Sequence, residues 1–121
     1  MTEAPLLMVV DDDPSVLLLV DVLAEKMGFR VKAVSSGLQA LEHLRDGLQP
    51  HVILLDIMME RIDGLTFMNH LREMPSLEST PVIAMSTAAV LDRYGDRLQV
   101  SGTLLKPITQ QTLAQALEGY R

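Results

Sequence analysis

Leu6-Leu7-Met8-Val9-Val10-Asp11-Asp12-Asp13-Pro14 reads as a buried strand, a knot of acids and the first residue of a helix. Five apolar residues in a row, without alternation, suit a strand covered on both faces. Asp13 can cap a helix beginning at Pro14, where a missing N–H costs nothing. Asp11 and Asp12 are left at the strand's carboxyl end. The pattern recurs downstream: Val52-Ile53-Leu54-Leu55 closes on Asp56, and Leu104-Leu105 is followed by Lys106-Pro107. If these strands lie parallel, three carboxylates and one ammonium share the edge where open α/β sheets bind ligands. Two carboxylates about 5 Å apart repel by roughly 3 kcal/mol at an effective dielectric near 20. Such a cluster calls for a cation, and an all-oxygen acidic site suits magnesium. The implied chemistry is divalent-ion binding and the handling of a phosphoryl group.

The intervening sequence alternates between strand and helix. Val16, Leu17, Val20, Leu23, Ala24 and Met27 keep helical spacing until Gly28, and Arg30 to Val34 alternates like a strand with one more polar side. Ser36 caps a short helix through Leu38, Leu41 and Leu44, ended by Asp46-Gly47 and Pro50. After the strand His51 to Asp56, Asp63-Gly64 opens a helix carrying Leu65, Met68 and Leu71, stopped before Pro75. Val82 to Met85 is a fourth strand, followed by a weak helix between Ala88 and Leu98 that Tyr94-Gly95-Asp96 interrupts. Thr103 to Leu105 is the fifth strand, and Thr109 caps a last helix with Leu113, Ala116 and Leu117 facing in. Five strands and five helices in strict alternation predict a parallel sheet with helices on both faces.

The 121 residues suit one domain, 1–121, with its own core. Sixteen Asp and Glu against ten Lys and Arg leave a net charge of −6, which argues against a nucleic-acid surface. Without cysteine there is neither a disulfide framework nor a thiolate zinc site. The first apolar run is too short for a signal peptide, and no segment reaches the roughly 20 apolar residues of a membrane span, so a cytoplasmic protein is expected. His43, His51 and His70 share no metal-ligand spacing. The eight methionines read mainly as core filler.

Four stretches together carry a resemblance over essentially the whole chain: Val9-Val10-Asp11-Asp12-Asp13-Pro14; Leu55-Asp56-Ile57-Met58-Met59 with Asp63-Gly64 beyond; Pro81-Val82-Ile83-Ala84-Met85-Ser86; and Leu105-Lys106-Pro107. The chain resembles a receiver domain of the bacterial two-component response regulators. The resemblance implies a flavodoxin-like sheet of order 2-1-3-4-5 and reversible aspartate phosphorylation by a histidine kinase or phosphotransfer protein. It implies Asp56 as nucleophile and Mg²⁺ held directly by Asp12, through water by Asp11, and by Asp56 and the Met58 main-chain carbonyl. Lys106 and Ser86 would each contact a phosphoryl oxygen, and Pro107 suits a cis bond aiming the ammonium over the strand ends. An output protein or domain would read the switch, and the chain would be a monomer or weak homodimer.

Departures from the family pattern carry expectations too. Glu60 stands where proline is usual and adds negative charge near the site. Thr87 takes the place of a smaller residue after the switch hydroxyl, narrowing access to Asp56. Thr103 replaces the usual aromatic, so the signal is expected to leave through backbone movement of residues 87 to 96. Other classes fit less well. An aspartate-nucleophile phosphatase needs a second Asp two residues on, where this chain has Met58. A flavin or nucleotide binder needs a glycine-rich loop after the first strand. An interaction module that had lost the chemistry would not need the acid pair, Asp56 and Lys106 together.

Overall fold

A computed structural model describes residues 3–59 and 62–120, with Tyr94, Gly95 and Asp96 described by their backbone alone. Strands β1 (Leu6–Val10), β2 (Arg30–Val34), β3 (Val52–Asp56), β4 (Val82–Ser86) and β5 (Gly102–Leu105) form one parallel sheet in the order β2-β1-β3-β4-β5. Helices α1 (Pro14–Lys26), α2 (Gly37–Arg45), α3 (Gly64–Arg72), α4 (Ala88–Leu98) and α5 (Gln110–Leu117) connect and follow them. Successive strand residues point to opposite faces, and the core divides accordingly. Met8, Val10, Ile53 and Leu55 pack with Leu41, Leu44, Phe67 and Leu71 of α2 and α3. Leu7, Val9, Val52 and Leu54 pack with Val20 and Ala24 of α1 and Leu113 and Leu117 of α5.

The helix starts follow the expected capping chemistry. Asp13 Oδ1 accepts from Ser15 N–H, Ser36 Oγ from Gln39 N–H, and Asp63 Oδ1 from Thr66 N–H. Thr109 and Thr112 cap α5 reciprocally. Gly28 and Gly47 take φ of 99° and 108°, the left-handed conformations that end α1 and α2.

Several expectations need correction. β2 does not alternate cleanly: only Val34 is buried, because β2 lies at the sheet edge with one strand neighbour. Leu38 and Leu65 are exposed rather than core-facing, each in the first turn of its helix, while Ala40 and Phe67 are buried. α4 runs unbroken through residues 94 to 96. Glycine inside a helix costs only about 1 kcal/mol, and Val90, Leu91 and Leu98 packing on the core offset it. Its ends are weak all the same, for Thr87 makes no side-chain cap and Gln99 ends the helix at φ 52°.

Candidate functional site

The strand register explains why distant residues meet. Val10 lies opposite Leu55 on neighbouring strands, so the next residues, Asp11 and Asp56, stand side by side at the carboxyl edge. Asp56 pairs with Met85, and Ser86 is the next residue along β4. Ser86 lies opposite Leu105, which places Lys106 just past the end of β5. The ladder continues there, with Lys106 N–H donating to the Ser86 carbonyl at 3.0 Å. The Lys106–Pro107 peptide is cis.

The Lys106 side chain spans β4 to reach both acids. Its Nζ lies 2.9 Å from Asp11 Oδ2 and 3.6 Å from Asp56 Oδ2. Asp11 is fully buried, and its other oxygen accepts from Asp13 N–H at 2.9 Å. Asp56 is 4% exposed, and its Oδ1 accepts from Met58 N–H at 3.1 Å. Asp12 stays exposed, beside a cleft of about 270 Å³ lined by Ser35, Ser36, Gly37, Gln39, Met59 and Ile62. Ser86 is buried, and its hydroxyl has no hydrogen-bond partner among the described residues.

Charge crowding shows in the ionisation of these groups. Burial pushes the Asp56 carboxyl up to about 6; Asp11 and Asp12 add to the rise, while the Met58 N–H and the Lys106 ammonium hold it back. Burial alone would lower Lys106, but its hydrogen bond to Asp11 and the charges of Asp56 and Asp11 outweigh that and raise it. Among the described residues one ammonium therefore faces three carboxylates, a deficit a small divalent cation would meet.

One carboxylate oxygen from each of Asp11, Asp12 and Asp56 can be chosen so that all lie within 4.8 Å of one another. Around a magnesium-sized ion neighbouring ligand oxygens stand about 3 Å apart and opposite ones about 4.2 Å, so the trio is gathered on the scale of one such ligand shell. Hard oxygen donors of this kind fit such an ion.

Of the other expected residues, Thr87 is exposed at the start of α4, and Thr103 is exposed on β5. Pro107 is exposed beside Lys106, and the Met58 side chain is 56% exposed. Met58 would thus contribute through its main chain. Glu60 lies outside the described residues. His51 marks the entrance to β3, where its Nδ1 accepts from Leu6 N–H at 2.9 Å. Gly64, read as a helix start and as part of one stretch of the resemblance, follows the cap Asp63 directly and opens α3.

No helix among the described residues is long and apolar enough to cross a membrane. The family model described as response regulator receiver domain matches residues 7–118. The chain is 34% identical over 116 residues to the signal transduction histidine-protein kinase BarA of Escherichia coli, covering 94% of this chain and 12% of that protein. It is 30% identical over 115 residues to Protein PilG of Pseudomonas aeruginosa, covering 93% of this chain and 84% of that one. In fold it is similar to the receiver domain of a sensor histidine kinase from P. aeruginosa, crystallised with magnesium ion coordinated in the active site cleft. That likeness has a TM-score of 0.87 at 21% identity and covers 97% of each chain.

Proposed function

The chain belongs to the response regulator receiver domain family, whose members act in phosphorelay signalling, and from that premise we propose that Asp56 is its phosphoacceptor and that Mg²⁺ is its cofactor. The observation that carries the reading is the meeting of buried Asp56 with Asp11 and Lys106 at one sheet edge. The phosphoryl group comes from a phosphohistidine on a histidine kinase or phosphotransfer protein. An output protein or domain then reads the change, and the setting is cytoplasmic.

The chain's own residues have separable tasks. The Met58 N–H engages Asp56 Oδ1 and leaves Oδ2, beside Lys106, to attack phosphorus. The new P–O bond forms as the P–N bond to the donor imidazole breaks, giving an acyl phosphate and returning the electron pair to the histidine. Lys106 moves from the Asp carboxylates onto a phosphoryl oxygen, and the unengaged Ser86 hydroxyl donates to another. Asp11, Asp12, Asp56 and the Met58 carbonyl would hold Mg²⁺, which supplies charge neutralisation for the transferring group. Phosphorylation and its hydrolysis are thus promoted by the receiver itself. The direct test is the mass of the protein after acetyl phosphate and Mg²⁺, where one added phosphoryl group is expected.

Two variants separate access from response. A Thr N-cap is ordinarily worth about 1 kcal/mol, but Thr87 makes no capping bond, so Thr87→Ala should leave α4 little changed. It should accelerate labelling by small donors several-fold by opening the approach to Asp56. An unchanged or slower rate in stopped-time labelling would remove the steric account. Lys106→Ala removes a cation, so Mg²⁺ affinity in calorimetry should hold or rise. The amide-exchange response to beryllofluoride, a phosphoryl mimic, should be lost; a normal response would reduce Lys106 to an ordinary strand-end charge.

A further inference from the structure

An ideal Cβ at Gly64 would stand 2.8 Å from both Cβ and Cγ2 of Ile57 and 3.0 Å from the Ile57 Cα. Two of those atoms are fixed by the backbone, so a rotamer change cannot relieve the contact. The backbone of Gly64 does not require glycine, since its φ lies outside the left-handed range. Gly28 and Gly47 are the reverse case, with positive φ and nothing within 4 Å. Space is therefore what position 64 demands.

The space matters because of what Ile57 carries. Gly64 N–H donates to the Ile57 carbonyl at 3.2 Å, seating the first turn of α3 on the Ile57–Met58 peptide. Ile57 N–H donates to the Met85 carbonyl at 3.3 Å, extending the β3–β4 ladder. Met58 N–H then reaches back to Asp56 Oδ1. An interior packed at crystal-like density transmits a displacement rather than absorbing it. Moving Ile57 moves the Met58 N–H, the main-chain donor that meets the acceptor carboxylate among the described residues.

We infer that Gly64 is a positioning residue for Asp56: lacking a Cβ, it lets α3 close on Ile57 and so holds the Met58 N–H against Asp56 Oδ1. The inference rests on the reading of Asp56 as phosphoacceptor. In Gly64→Ala, the Met58 amide proton should move upfield in a ¹⁵N–¹H spectrum and exchange faster with solvent. The saturating rate of labelling by acetyl phosphate should fall about ten-fold, with the half-saturating concentration little changed, as for a misplaced reacting group. Gly119→Ala, whose Cβ meets nothing within 4 Å, should change neither readout.

Ile57→Ala supplies the test of route, because it removes Cγ2 and leaves Cβ. In that background Gly64→Ala should cost only about three-fold, since sites that act through one contact are not additive. An unmoved Met58 amide in Gly64→Ala would overturn the inference, as would a larger cost in the Ile57→Ala background than in the native one; an equal cost would assign the contact to the Ile57 Cβ and Cα that Ile57→Ala retains. Should Gly64→Ala not fold, Ile57→Ala/Gly64→Ala against Ile57→Ala decides: a displaced Met58 amide sustains the inference and an unmoved one overturns it. The amide is read without donor or metal. Undiminished labelling of Asp56→Asn would therefore sink the phosphoacceptor reading, while the amide still reports whether Gly64 sets the Asp56 carboxylate.

Discussion

Asp56→Asn is expected to abolish phosphoryl incorporation, leaving no alkali-labile phosphate after acetyl phosphate and Mg²⁺ or after a phosphorylated kinase. The substitution is close to isosteric, and an Asn carbonyl oxygen can still accept from the Met58 N–H that now meets Asp56 Oδ1. The loss would therefore be of the nucleophile, not of the loop. Chelation should act on the same step from the other side. With Asp11, Asp12 and Asp56 against Lys106 among the described residues, at least one carboxylate repulsion of about 3 kcal/mol opposes an anionic donor. That corresponds to slowing by on the order of 10²-fold. Persistent labelling of Asp56→Asn, or labelling of the native protein indifferent to chelator, would mean that the phosphoryl group lands elsewhere. Ser86 would be the first place to look, and a serine phosphate would survive alkali differently from an acyl phosphate.

The strand positions, and the acids and lysine that meet at their carboxyl edge, were legible because parallel strands buried on both faces are written as unbroken apolar runs. Leu6 to Val10 and Val52 to Leu55 could hardly be read otherwise, and the polar residue ending each run had to lie at an edge. What could not be read was the reach of one side chain. Lys106 is separated from β3 by the whole width of β4, and its contact with Asp11 depends on a register fixed only when the sheet assembles. The edge strand β2 was misread for a related reason, since its polarity reflects a missing neighbour rather than two unlike faces. α4 was judged from its interior glycine, but packing of Val90, Leu91 and Leu98 outweighs local propensity. The same gap hid Gly64, whose requirement comes from Ile57, seven residues earlier and on the far side of the loop.

A second large effect should appear in stability, without any phosphoryl chemistry. The Asp56 carboxyl is pushed up to about 6 by burial, helped by Asp11 and Asp12, against about 3.9 in an unfolded chain. Between those values the folded state binds the extra proton, so stability contributed at this position falls as pH rises through roughly 4 to 6. Below that window Asp56 is protonated in both states and adds no penalty; above it the full penalty stands, on the order of 3 kcal/mol. Metal-free Asp56→Asn should lack that pH dependence and melt roughly 10 °C higher than the native protein at pH 7, with the two converging near pH 4. Mg²⁺ should close the gap at neutral pH, because an ion that binds the folded state with Asp56 ionised stabilises the native protein by mass action. Comparing the two proteins at each pH cancels the carboxylates remote from the site, so the difference reports position 56 together with the charges it faces. Equal melting temperatures at pH 7 in chelator would show that Lys106 already neutralises the cluster and that the site does not need a metal for charge balance. A native protein more stable than Asp56→Asn in chelator would reverse the sign altogether. Asp56 would then be an ordinary paired carboxylate, not one held ready to ionise when a cation and a donor arrive.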